Sequence, residues 1–238
     1  QLLKEVLNQT GIELLGSIPW DPILRLESRH LGLAPAHEIN NLDKRIEAWG
    51  EIADNHLNMG RIVNLLKSPD PPKGIENELI NFNLDKETKP EYPIAIAEDN
   101  AFHFRYPEMK EYLESYNLPI IIWKPLEDQA IPKEAKGLII PGGFPEQYAK
   151  QISNSFNSIR SLKSFAGKHP IYAECGGMLL LGNSLSDLNG EKHLMSGIIP
   201  IEGIKGDLKV GYRRMLAINE DPILSKGDVF LGHEFHRW

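Results

Sequence analysis

The single cysteine of this chain, Cys175, sits between two different textures: the apolar run Pro170-Ile-Tyr-Ala before it, and Gly176-Gly-Met-Leu-Leu-Leu-Gly182 after it. An apolar strand that runs at once into Gly-Gly and an apolar helix makes an elbow, and open α/β sheets bind ligands at the carboxyl ends of their strands. A thiol at such an elbow is a candidate nucleophile. The glycines allow a tight turn and close substrate approach, and backbone N–H groups at a helix start favour thiolate. These features lead us to expect a thiol pKa below the free value of about 8.5. The competing reading is a buried cysteine that serves only packing.

Two further segments supply what a thiol nucleophile needs. In Gly137-Leu-Ile-Ile-Pro-Gly-Gly-Phe-Pro-Glu146 an apolar strand empties into a Gly-rich turn, so the N–H groups of Gly142 and Gly143, with that of Gly176, are candidate donors to an oxyanion formed on an attacked carbonyl. Taken alone, Pro-Gly-Gly-Phe-Pro is equally well a plain turn. The second segment, Gly232-His-Glu-Phe-His236, carries two histidines. In a strand of period two, Glu234, His236 and Trp238 share one face and His233, Phe235 and Arg237 the other, so at most one histidine can serve as the base of a thiol. The same segment reads poorly as a zinc site, being one residue short of His-Glu-x-x-His, and no metal is assigned. A surface strand is its bland alternative.

The elements that must position these residues follow from texture. From Pro93 onward, apolar runs of about four residues (Ile94-Ala-Ile-Ala, Ile120-Ile-Ile-Trp, Gly137-Leu-Ile-Ile, Pro170-Ile-Tyr-Ala) alternate with helical stretches from Pro107 to Tyr116 and from Glu146. That alternation predicts an α/β fold, a doubly wound parallel sheet covered on both faces. The first third reads as a short helix, a strand around residues 13–18, an irregular segment, and a long helix over about Asn41 to Leu66 with apolar residues every three or four positions. The Pro-, Asn- and Lys-rich stretch after Ser68 reads as a linker. No fixed-period repeat is visible.

Composition bounds the alternatives. Of 238 residues, 41% are hydrophobic and 25% charged, the balance of a globular protein with one large domain or two modest ones. Net charge is −7 with no basic stripe, which argues against nucleic acid as a partner. No apolar run approaches the roughly 20 residues of a membrane span. One cysteine and the lack of a signal pattern fit a cytoplasmic location. The chain opens on Gln1 inside helical spacing and closes at Trp238 without a stop signal, so a fragment of a longer protein is expected. No Gly-x-x-x-x-Gly-Lys-[Ser/Thr] phosphate loop is present.

Ala173-Glu-Cys-Gly-Gly177, Pro141-Gly-Gly-Phe-Pro-Glu146 and His233-Glu-Phe-His236, in this order and spacing, resemble the cobyrinic-acid-synthase type of class I glutamine amidotransferase domain. Leu15-Gly-Ser-Ile-Pro-Trp-Asp-Pro22 and Ser28-Arg-His-Leu-Gly-Leu33 resemble the end of the ATP-dependent synthetase domain that precedes it in the a,c-diamide synthases of that family. The resemblance implies residues 1–75 as the C-terminal part of a phosphate-loop synthetase domain, 76–90 as a linker, and 91–238 as an amidotransferase domain cut at its C-terminus. It implies a ligase: Cys175 as nucleophile on glutamine, His236 as its activating base, Gly143 and Gly176 as oxyanion donors, and Arg29 and His30 as contacts for an acidic corrinoid. ATP and Mg²⁺ would be held mainly outside this chain, activating the a and c carboxylates of cobyrinic acid for amidation. Other class I members carry a glutamate two residues after the histidine, where Trp238 stands here, so the triad is reduced to a dyad that Glu234 is placed to orient. Rival readings are cobyric acid synthase, a diamide synthase for another tetrapyrrole, a cysteine hydrolase on the same fold, and a tetrapyrrole-binding module without activity. Oligomeric state is left open, a homodimer included.

Overall fold

The computed structural model describes residues 2–26, 28–29, 32–33, 35–66, 92–220 and 224–238. The chain divides into two compact units, residues 1–79 and 80–238.

In the first unit, α1 (Leu2–Gln9) is the expected short helix. The expected strand at 13–18 and the unbroken helix from Asn41 to Leu66 are both corrected, for one shared reason. The helix is two pieces, α2 (Leu42–His56) and α3 (Met59–Leu65), parted at Leu57 and Asn58. At that break the 13–18 segment takes the backbone partners: Asn58 N–H donates to the Leu15 carbonyl at 2.6 Å and Ser17 N–H to that of His56 at 3.3 Å. Gly16 alone pairs with Leu57 as an isolated bridge, and a Cβ there would lie 2.2 Å from the His56 carbonyl oxygen, so only glycine permits the approach. Asn58 restarts the helix by accepting from Arg61 N–H at 3.1 Å. Between these elements β1 (Ser28–Arg29) and β2 (Gly32–Leu33) form a two-residue antiparallel pair, where the sequence predicts only an irregular segment.

The second unit is built on a four-stranded parallel sheet of β3 (Ile94–Ala97), β5 (Ile120–Trp123), β6 (Gly137–Ile140) and β8 (Ile171–Ala173), in spatial order β5-β3-β6-β8. The doubly wound α/β reading is correct. Winding reverses direction after β5, so β3 has β5 on one side and β6 on the other, the arrangement whose crevice lies beyond the strands' carboxyl ends. Ala95, Ile96 and Ala97 of β3, with Leu138 and Ile140 of β6, are buried, as their apolar runs require. The outer strands are more open, with Ile122 of β5 and Tyr172 of β8 exposed, because each is an edge.

Helices α4 (Glu108–Ser115), α5 (Ala149–Asn154), α6 (Phe156–Ala166) and α7 (Gly176–Leu181) connect or follow these strands. Leu162 and Phe165 of α6 and Leu179, Leu180 and Leu181 of α7 enter the core. Three smaller pairings complete the unit. β4 (Phe102–Phe104) lies antiparallel to β7 (Gly142–Gly143). β9 (Ser184–Ser186) pairs with β10 (Lys192–Leu194) antiparallel and β11 (Glu202–Gly203) parallel. The two eight-residue strands β12 (Lys209–Leu216) and β13 (Val229–His236) form an antiparallel ribbon. No helix among the described residues is long and apolar enough to cross a membrane.

Candidate active site

Cys175 follows β8 and caps α7 with φ 50° and ψ −115°, a conformation that L side chains rarely adopt. A non-glycine residue held there costs of order 1–3 kcal/mol, which the surrounding contacts must offset. They are visible. Glu174 N–H donates to the Ile140 carbonyl at 3.1 Å, tying the exit of β8 to that of β6, while Gly177 N–H returns to the Glu174 carbonyl at 2.8 Å. A Cβ on Gly177 would meet the Ile140 carbonyl oxygen at 2.2 Å, so the second glycine is what lets α7 start against β6.

The same packing brings the two Gly-rich turns together. A Cβ on Gly142 would sit 3.4 Å from Cys175 Cβ and 3.8 Å from its Sγ, and one on Gly176 would sit 3.2 Å from Gly143 N and 2.7 Å from Pro145 Cδ. The backbone amides of Gly176 and Gly143 both face the sulfur. Two N–H donors converging beside one thiol can hold an oxyanion formed there. The residue keeps an exposed surface, so a substrate has access to it.

Electrostatics run against the expected activated thiolate. Burial of the sulfur pushes the Cys175 thiol above its ordinary value, and the carboxylates of Glu174 and Glu146 push it the same way, against the two glycine amides. The Gly176 amide at the start of α7 favours thiolate more than either carboxylate opposes it, but burial is the largest influence and the net effect is upward. The thiol therefore stays protonated at neutral pH until a base takes its proton. Glu146 is only 3% exposed. Its burial beside the thiol was not legible in the sequence, where it reads as the residue that begins a helix after a Gly-rich turn.

His236 lies on the half-buried face of β13 with Glu234, as period two predicts, and His233 on the exposed face against Tyr212. No hydrogen bond joins His236 to Cys175 among the described residues. Its Nδ1 lies 2.8 Å from the Trp238 carbonyl oxygen and its Nε2 3.9 Å from Glu234 Oε2. Glu234 is shared with Arg213, whose guanidinium donates to its other oxygen. Trp238 closes the strand onto β9, its Nε1 donating to the Ser186 carbonyl at 2.9 Å. Of the two residues expected to contact an acidic corrinoid, Arg29 is placed by its backbone in β1, opposite Gly32. The Arg29 side chain and the whole of His30 lie outside the described residues.

Residues 93–237 match the CobB/CobQ-like glutamine amidotransferase domain. The chain belongs to this family. Among curated relatives, it is 38% identical to a cobyrinate a,c-diamide synthase of Caldanaerobacter subterraneus subsp. tengcongensis, the match covering 99% of this chain and 51% of that protein. A hydrogenobyrinate a,c-diamide synthase of Agrobacterium fabrum is 30% identical over 99% of this chain and 52% of its own length. A cobyrinate a,c-diamide synthase of Methanobrevibacter smithii is 33% identical over 98% and 50%. The chain thus spans about half the length of the relatives it matches. Within the matched region, Cys175 stands at the carboxyl end of β8, beside the Pro-Gly-Gly turn that follows β6.

Proposed function

We propose that this chain supplies the glutamine-hydrolysing part of an a,c-diamide synthase that amidates cobyrinic acid or a closely related corrinoid. The observation that carries the reading is Cys175, held in a strained elbow with the amides of Gly143 and Gly176 facing its sulfur. Names of relatives that cover the whole chain support the corrinoid as acceptor.

In this reading Cys175 Sγ attacks the side-chain carbonyl carbon of glutamine while its proton passes to His236. The oxygen of the tetrahedral intermediate is held by Gly143 and Gly176 N–H. The C–N bond then breaks, the leaving nitrogen takes the proton from His236, and ammonia departs from a γ-glutamyl thioester. Water attacks that thioester, releasing glutamate and restoring the thiol. For the proton transfer His236 must turn from the Trp238 carbonyl towards the sulfur, carried by the β12–β13 ribbon. Amidation also requires a carboxylate activated by ATP with Mg²⁺. The sequence contains no phosphate loop, so neither is assigned to residues of this chain.

The test is glutamate release from glutamine by the full-length protein, with and without ATP and cobyrinic acid, in the wild type and Cys175→Ser. Release that depends on Cys175 and rises with both co-substrates is expected. Absence of release, or release equal in the mutant, would overturn the assignment.

A further inference from the structure

The loop from β3 to β4 ends against Gly143, and one carboxylate organises it. Asp99 Oδ1 accepts from Ala101 N–H at 2.9 Å and from Phe102 N–H at 3.3 Å, while Oδ2 accepts from Leu126 N–H at 2.8 Å, on the segment that leaves β5. One side chain thus ties together the exits of two neighbouring strands of the sheet. The groups it fixes are those that touch the site. The Ala101 carbonyl accepts from Phe144 N–H at 3.0 Å, and Phe102 pairs with Gly143. Ala101 and Phe102 are fully buried, so a change in this loop has no slack in which to dissipate. A Cβ on Gly143 would lie 2.0 Å from the Ala101 oxygen, which shows how closely the two backbones abut.

We propose that Asp99 is a positioning residue for the glutaminase step: it holds Ala101 and Phe102 so that the Gly143 N–H stays aimed at the oxyanion formed at Cys175. The inference rests on the glutaminase reading above. Burial pushes the Asp99 carboxyl up despite three backbone donors, so the fold tolerates a desolvated carboxylate at this point. A neutral cap of an ordinary turn would carry no such cost. A displacement of about 1 Å in a group that stabilises the transition state lowers turnover about a hundredfold. The loop position that Asp99 sets is therefore coupled to kcat, whereas its carboxylate bonds to backbone amides and not to the sulfur.

The experiment uses the full-length protein with Asp99→Ala, Asp99→Asn and Cys175→Ser, measuring kcat and KM for glutamine and the rate of Cys175 alkylation by iodoacetamide. For Asp99→Ala, kcat falls about 10–100-fold while KM and alkylation, which uses no oxyanion, stay within about 3-fold. Asp99→Asn keeps an oxygen for Ala101 and Phe102 but turns an NH₂ towards Leu126 N–H. Its kcat falls about 3–10-fold, between wild type and alanine. Should the alanine variant not fold, the asparagine variant decides alone. Wild-type kcat in Asp99→Asn, or kcat and alkylation falling together, overturns the proposal. A wild type without glutaminase activity, or an active Cys175→Ser, instead overturns the glutaminase reading on which it depends.

Discussion

Substituting Gly143 by alanine puts the oxyanion arrangement under direct test. The added Cβ would be built 2.0 Å from the Ala101 carbonyl oxygen, 2.8 Å from its carbon and 3.1 Å from Phe102 Cα, all backbone atoms of a buried loop. Ordinary contact needs about 3.5 Å, so the two backbones must part by about 1.5 Å. No flexible side chain can absorb that movement, and it displaces the amide that faces Cys175. Loss of one oxyanion donor lowers kcat by about 10²–10³, or roughly 3–4 kcal/mol of transition-state stabilisation. Overpacking costs the fold a further 1–3 kcal/mol or about that. Steady-state glutamine hydrolysis by the full-length protein, with urea unfolding in parallel, separates the two effects. Gly167→Ala is the matched control: its φ is −84°, and a Cβ there meets nothing within 4 Å. It is expected to leave both stability and kcat close to wild type. Hydrolysis by Gly143→Ala within about 3-fold of wild type, at a stability that shows it folded, would refute the donor role of this amide.

Two pH measurements test the electrostatics. The rate of Cys175 alkylation in the wild type should rise with pH to a midpoint above the ordinary thiol value, and Glu174→Gln should move that midpoint down, since its carboxylate opposes ionisation. A wild-type midpoint below about 8.5 would contradict the burial argument. At the β9–β10 turn, the His193 side chain holds the Asp187 carboxyl below its ordinary 3.8, helped by the N–H groups of Glu191 and Asn189. A carboxyl with a lower pKa folded than unfolded contributes stability that is present above the unfolded value and lost as pH falls through the folded one. Acid unfolding from about pH 4 to pH 2 should therefore be shallower in Asp187→Asn than in wild type, and identical curves would refute the pairing.

Much of the amidotransferase unit was legible in the sequence because its signals are local. Four short apolar runs bounded by turns became β3, β5, β6 and β8, and the Gly-Gly after Cys175 opened α7 as expected. The first unit was less legible. The strand expected at residues 13–18 and the continuous helix after Asn41 both gave way because Leu15, Gly16 and Ser17 bond to the backbone at His56, Leu57 and Asn58. That exchange is between residues some forty positions apart, and helical periodicity carries no record of it. The β4–β7 pair was missed for a similar reason, since Gly142-Gly143 reads as a turn and becomes a strand only where Phe102 and Phe104 lie beside it.

By itself the sequence determined the parallel α/β unit, the elbow at Cys175 and the face of β13 that carries Glu234 and His236, since each depends on residue types within about ten positions of one another, and the order and spacing of such local motifs determined the family. Only the tertiary structure decided how those parts act together. It brought Gly143 beside Gly176, tied Asp99 to the loop that abuts Gly143, and buried Glu146 close enough to Cys175 to oppose thiolate formation. It also left His236 hydrogen-bonded to the Trp238 carbonyl and not to the thiol. A pKa and a hydrogen-bond partner are set by what lies within a few ångströms in space, and distance along the chain does not encode that.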